Sequence, residues 1–137
     1  MQALLALSAA VKESIRHLKE VYYTTRSPET KEDTKDLLEC LLRVRTLTEE
    51  LVNIVRSKKT RRFLAGDRTA DAHLTRWSDG LPRRTRNYKE KHKSLSHTHL
   101  HRYYETLRLY LNEIETTLDK WVTDTKAAAD LPHLPSD

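Results

Sequence analysis

The stretch DLLECLLRVRTLTEELVNIVRSKKTRRFLAG, Asp36 to Gly66, decides the fold. Leu37, Leu41, Val44, Leu47, Leu51, Val52, Ile54 and Val55 recur at the period that lines one side of an α-helix. Just upstream, Ser27 is a good N-cap and Pro28 suits the first helical position. Glu29, Glu32 and Asp33 favour the positive helix end. Gly66 is a fitting C-terminal stop. The predicted helix, Pro28 to Leu64, would be roughly 55 Å long at about 1.5 Å per residue. One short neighbour does not cover a stripe of that length. It needs a second copy of the chain or a helix from farther along. The stretch also ends in Arg56, Lys58, Lys59, Arg61 and Arg62, with no acidic residue among them. The helix dipole accounts for one or two cations at that end, not for five.

Toward the N-terminus, Leu4, Leu7, Val11, Ile15, Leu18 and Tyr22 make a second stripe and predict a helix over Gln2 to Thr24. The opening MQALLALSAAV lacks the charged n-region of a signal peptide, and its periodicity runs on, so it reads as a helix start. Toward the C-terminus, Asp67 can cap a short third helix, Arg68 to Ser78, carrying Leu74 and Trp77. DGLPRRTRN then reads as a turn and an exposed connection. A fourth helix is predicted from Ser94 to Ala128, with Leu100, Tyr103, Tyr104, Leu107, Leu111, Ile114, Leu118, Trp121 and Val122 as its stripe. Residues 129–137 read as a disordered tail. No internal repeat stands out. The expectation is an all-α chain: a helical hairpin over 1–66, then 67–128 with a short helix, a basic connection and a long C-terminal helix. Its long antiparallel helices form a helical bundle completed by dimerisation. With only 2 glycines, the chain has little material for tight β-turns.

The net charge of +5 hides a division. Arg56 to Lys93 holds 13 Lys/Arg against 4 Asp/Glu, and the rest holds 12 against 16. A basic middle in an acidic frame points to an anionic partner, nucleic acid first and an acidic protein or membrane surface next. Cys40 is the only cysteine, which excludes an intrachain disulfide and suits a reducing compartment. Its place in an apolar row makes it a small core residue. No run approaches a transmembrane helix. A Gly-rich phosphate loop, a nucleophile elbow and a convincing carboxylate pair are all missing, so no enzyme and no cofactor is expected.

On the second helix, Arg45 and Arg56 point within about 20° of each other, and Arg43 and Arg61 lie five turns apart on one side. A straight rod with repeated cations can follow a duplex backbone and read shape rather than base sequence. Against this, Arg45 and Glu49 have the spacing of an ordinary helix ion pair. Arg83, Arg84, Arg86, Lys89, Lys91 and Lys93 form a second cluster in an exposed connection, which reads as a flexible phosphate-binding arm, a localisation signal or a plain charged loop. His97, His101 and Glu105 are spaced by four on one helix face, but they lack a fourth ligand, so no metal is assigned.

The first 70 or so residues resemble the small RNA-silencing suppressors of insect-infecting nodaviruses. The likeness rests on a short amphipathic first helix, an acidic link, DLLECLLRVR on the second helix and the close NIVRSKKTRRFLAG. Asp36, Leu37, Cys40 and Leu41 fall where that family has similar residues, and Arg43 and Arg45 fall on two of its lysines. The resemblance implies an antiparallel four-helix-bundle dimer lying along double-stranded RNA, binding it regardless of sequence and shielding it from dicing and loading. It also implies a homodimer in the host cytoplasm, with host silencing proteins as further partners and no membrane. The RNA-contacting residues are expected to be Arg43, Arg45, Arg56, Lys58, Lys59, Arg61, Arg62, Arg83, Arg84 and Arg86. The alternatives are a helical interaction module for an acidic partner and a secreted cytokine-like bundle.

Overall fold

Ser27 caps the second helix as its sequence predicts. The backbone N–H of Thr30 donates to Ser27 Oγ at 3.2 Å, and the Ser27 hydroxyl donates to Glu29 at 3.1 Å. The computed structural model describes residues 1–56 and 68–129. Those residues form α1 (Gln2–Thr24), α2 (Pro28–Arg56), α3 (Arg68–His92) and α4 (His97–Ala129), with no strand among them. The stop at Gly66 and the tail at 130–137 lie outside the described residues. So does the end of the predicted second helix beyond Arg56.

Two expectations are corrected on α3. The short third helix and the exposed DGLPRRTRN connection are one continuous helix, so Arg83, Arg84 and Arg86 are helical rather than a flexible arm. An interior proline costs a helix about 3 kcal/mol, and Pro82 has no N–H for the Ser78 carbonyl. Tertiary packing outweighs that penalty, because Trp77, Leu81, Pro82, Thr85 and Tyr88 are all buried. Gly80 marks a close approach and not a turn. A Cβ there would stand 2.5 Å from the Tyr110 hydroxyl of α4. The fourth helix begins at His97 rather than Ser94, with Leu95 tucked against the core ahead of it.

The helices pack as two layers. α1 lies against α3, α2 lies against α4, and α1 also packs on α2. Polar pairs across the first seam are Glu13–Arg86, His17–Thr85 and Glu20–Lys89. Across the second they are Asp33–His101, Asp36–Arg108, Arg43–Glu115 and Glu50–Lys126. Across the second seam the two residue numbers climb together, and across the first the two ion pairs climb together from Glu13–Arg86 to Glu20–Lys89, so these neighbours run parallel to each other.

Burial repeats at an offset of 70 residues. Leu4 and Leu74, Leu7 and Trp77, Leu18 and Tyr88, Leu41 and Leu111, Val44 and Ile114, and Val52 and Val122 are pairs in which both members are buried. The repeat escapes a reading of residue types because Leu7 is matched by Trp77, and buried Ile15 by Thr85. The α2 stripe of Leu37, Leu41, Val44, Leu51, Val52 and Val55 is buried within the single chain, where α1 and α4 pack on α2. A helix from farther along does what the sequence otherwise reserved for a second copy.

Candidate nucleic-acid interface

The two layers differ in charge. α1 and α3 together carry 10 Lys/Arg against 5 Asp/Glu, whereas α2 and α4 carry 9 against 12. Arg68, Arg76, Arg83, Arg84 and Arg86 are exposed on α3, and Lys12, Arg16 and Lys19 on the neighbouring α1. None of the exposed large hydrophobic residues belongs to α3.

The predicted contacts divide between the layers. Arg43 and Arg45 lie on the acidic layer, where Arg43 pairs with Glu115 and Arg45 stands 4.0 Å from Glu49. Arg56 is exposed at the end of α2, and Lys58, Lys59, Arg61 and Arg62 lie outside the described residues. Arg83, Arg84 and Arg86 sit on the basic layer. Arg83 is 3.8 Å from Asp79, Arg86 is 3.3 Å from Glu13, and the Arg84 guanidinium lies 4.1 Å from the Tyr110 ring centroid. Exposed pairs of this kind are worth about 0–1 kcal/mol each, so a phosphate can compete for the same arginines. Lys12, Arg16 and Lys19 were missed because each helix was read alone. For Arg16 and Lys19 the signal is the same 70-residue offset, at which they match Arg86 and Lys89.

Buried polar groups join helices both within and between the layers. His17 lies in the α1/α3 seam with Nδ1 3.0 Å from Thr85 Oγ1. The Thr85 hydroxyl already donates to the carbonyls of Leu81 and Pro82, so His17 is the donor in that bond. Burial pushes the His17 pKa down, and Lys89 adds to the shift. The Tyr88 hydroxyl meets Thr34 at 2.9 Å, and burial raises its pKa to about 12. Burial also raises the Cys40 thiol, which agrees with a core residue and not a thiolate nucleophile. Between α3 and α4 lies a cleft of about 520 Å³, with Arg84 and Arg102 among the residues lining it beside Tyr103 and Leu107.

The histidine row on α4 acquires a partner from α2. Asp33 Oδ2 lies 3.1 Å from His97 Nε2 and 2.6 Å from His101 Nδ1. Glu105 lies 3.2 Å from the other ring nitrogen of His101. The hydrogen bond to Asp33 raises the His101 pKa. Beside this group, Tyr104 and Arg108 both donate to Asp36 Oδ2, at 2.7 and 2.8 Å. Burial, with Asp36 adding to it, takes the Tyr104 pKa to about 12.

No family model, no curated protein and no solved structure matches this chain. No helix among the described residues is long and apolar enough to cross a membrane.

Proposed function

We propose that the chain is a non-enzymatic double-stranded-RNA-binding protein that grips the duplex backbone with its α1/α3 layer. The observation that carries the proposal is the exposed side of α3. It presents five arginines and no large apolar side chain. A protein-binding surface needs a buried aromatic or aliphatic anchor at its centre, whereas a phosphate surface needs repeated cations. At about 1.5 Å per residue, Arg68 to Arg86 spans roughly 27 Å along the helix. Lys12, Arg16 and Lys19 run beside it on the parallel α1. Such a ridge reads backbone shape, and the A-form groove suits shape readout.

The resemblance to nodavirus suppressors supports the same partner by another route, and adds suppression of silencing in the host cytoplasm by shielding the duplex. It differs in assembly. That family builds its bundle from two chains, whereas the described residues of one chain supply four helices here. The homodimer therefore loses its original motive, and the single-chain bundle is the binding unit we propose. The test is a gel shift of purified protein with unrelated duplexes of equal length, across a salt series. Near-equal affinities that fall steeply with salt support the proposal. A hundredfold preference for one sequence, or binding to an acidic peptide but not to duplex RNA, overturns it, the latter in favour of the interaction module.

A further inference from the structure

The geometry points to a divalent-metal site at Asp33, His97 and His101, taking a late first-row cation, zinc foremost. Sequence spacing alone left the histidine row one ligand short. The fold brings Asp33 to both imidazoles from the neighbouring helix, with Glu105 standing outside the three donors. Asp33 Oδ2, His97 Nε2 and His101 Nδ1 all lie within 4.8 Å of one another. With metal–ligand bonds of about 2.0 Å, a tetrahedral zinc holds its ligand atoms about 3.3 Å apart. The two Asp33 contacts, at 3.1 and 2.6 Å, lie within a small side-chain adjustment of that spacing.

Three further features fit a metal better than a plain hydrogen-bonded cluster. His97 and His101 are one turn apart on α4 and Asp33 is on α2, so two packed helices hold all three donors. Glu105 Oε1 stands 3.2 Å from His101 Nε2, where it can hold that nitrogen's proton when Nδ1 binds a metal. All three residues are only partly buried, which gives an ion an entry path. Two imidazoles and one carboxylate suit zinc, cobalt or nickel better than calcium or magnesium, and they leave a coordination position for water. The site is independent of the basic layer, so its fate does not decide the RNA proposal.

The experiment uses untagged full-length protein stripped with chelator and titrated with Co²⁺, followed by competition with Zn²⁺. The expected result is one cobalt per chain with the visible absorption of a nitrogen–oxygen site, displaced by zinc. Zinc should also raise the thermal midpoint of the parent protein. His97→Ala and Asp33→Asn should each weaken binding at least a hundredfold while far-UV circular dichroism stays parental. Glu105→Gln should keep the stoichiometry and weaken affinity about tenfold, as loss of an orienting carboxylate does. His99→Ala is the control, because His99 lies on the cleft side of the same helix and contacts Ser96. The site is overturned if cobalt gives no saturable spectrum, or if folded His97→Ala binds as tightly as the parent. Should Asp33→Asn fail to fold, the His97→Ala result decides alone.

Discussion

The α1/α3 layer and the α2/α4 layer solve one packing problem with opposite electrostatics. Both join parallel helices whose buried positions match at an offset of 70, and both cross-link them with polar pairs. In the first layer the carboxylates of those pairs, Glu13 and Glu20, come from α1, and the cations, Arg86 and Lys89, from α3. Cations outnumber carboxylates there by 10 to 5, so cations remain after every pair is made. In the second layer carboxylates are in excess, and Asp33 turns to two imidazoles instead of a lysine or arginine. Stacking therefore does not dictate surface charge. One arrangement leaves a basic ridge on one side and a carboxylate–imidazole cluster on the other.

The sharpest way to break this comparison is to remove three arginines from each layer. Arg16→Ala, Arg83→Ala and Arg86→Ala together should flatten the log-affinity versus log-salt slope for duplex RNA by about three. At low salt that amounts to a loss on the order of a hundredfold or more. Arg43→Ala, Arg45→Ala and Arg56→Ala together should change the slope by less than about one. The reverse ranking would put the RNA on α2, the part of the sequence-read surface that holds Arg43, Arg45 and Arg56.

A second test addresses the shared architecture. Leu41 and Leu111 are equivalent positions with no exposed surface. Leu41→Ala and Leu111→Ala should each lower stability by about 2–5 kcal/mol in urea unfolding, with unchanged m-values. Costs that differ by more than about 2 kcal/mol would show that α2 and α4, though matched at the 70-residue offset, are not packed alike.

The cross-links should rank below the core and differ between layers. Asp36 accepts from both Tyr104 and Arg108 in a half-buried setting, so Asp36→Ala should cost about 1–2 kcal/mol. Glu20 meets Lys89 with most of its own side chain in solvent, so Glu20→Ala should stay within about 0.5 kcal/mol. Equal costs would mean that burial does not separate the two sets.

Much of the helical pattern was legible because apolar spacing survives in single segments. The bounds of α1, the cap at Ser27 and the stripe of α2 all follow from local rules. The reading failed at Gly80 and Pro82, where local turn chemistry was overruled by packing of α3 on its neighbours. It failed on Asp33 because a ligand 64 and 68 residues from its histidine partners leaves no spacing signature. The basic layer was half legible: Arg83, Arg84 and Arg86 stood out as a run. Lys12, Arg16 and Lys19 joined them only when α1 and α3 were laid side by side.

The smallest predicted effect asks whether the α1/α3 seam is electrostatically tense as well as basic. His17 sits in that seam, and burial lowers its pKa from the ordinary 6.5, with Lys89, Arg86 and Arg16 adding to the shift and Glu13 opposing it. The folded protein then binds fewer protons at His17 than the unfolded chain does in the window below 6.5. Its contribution to stability is fully present above that value and is lost as pH falls through the lowered folded pKa. The ring resonance of His17 should titrate with a midpoint below 6.5 in the native protein. On acidification from about pH 7.5 to about pH 5, the parent should lose more urea stability than His17→Gln, because the remaining histidines are common to both and cancel. A native midpoint above 6.5 would reverse the sign of the linkage. It would mean that Glu13, and not the cations of α3, governs the seam.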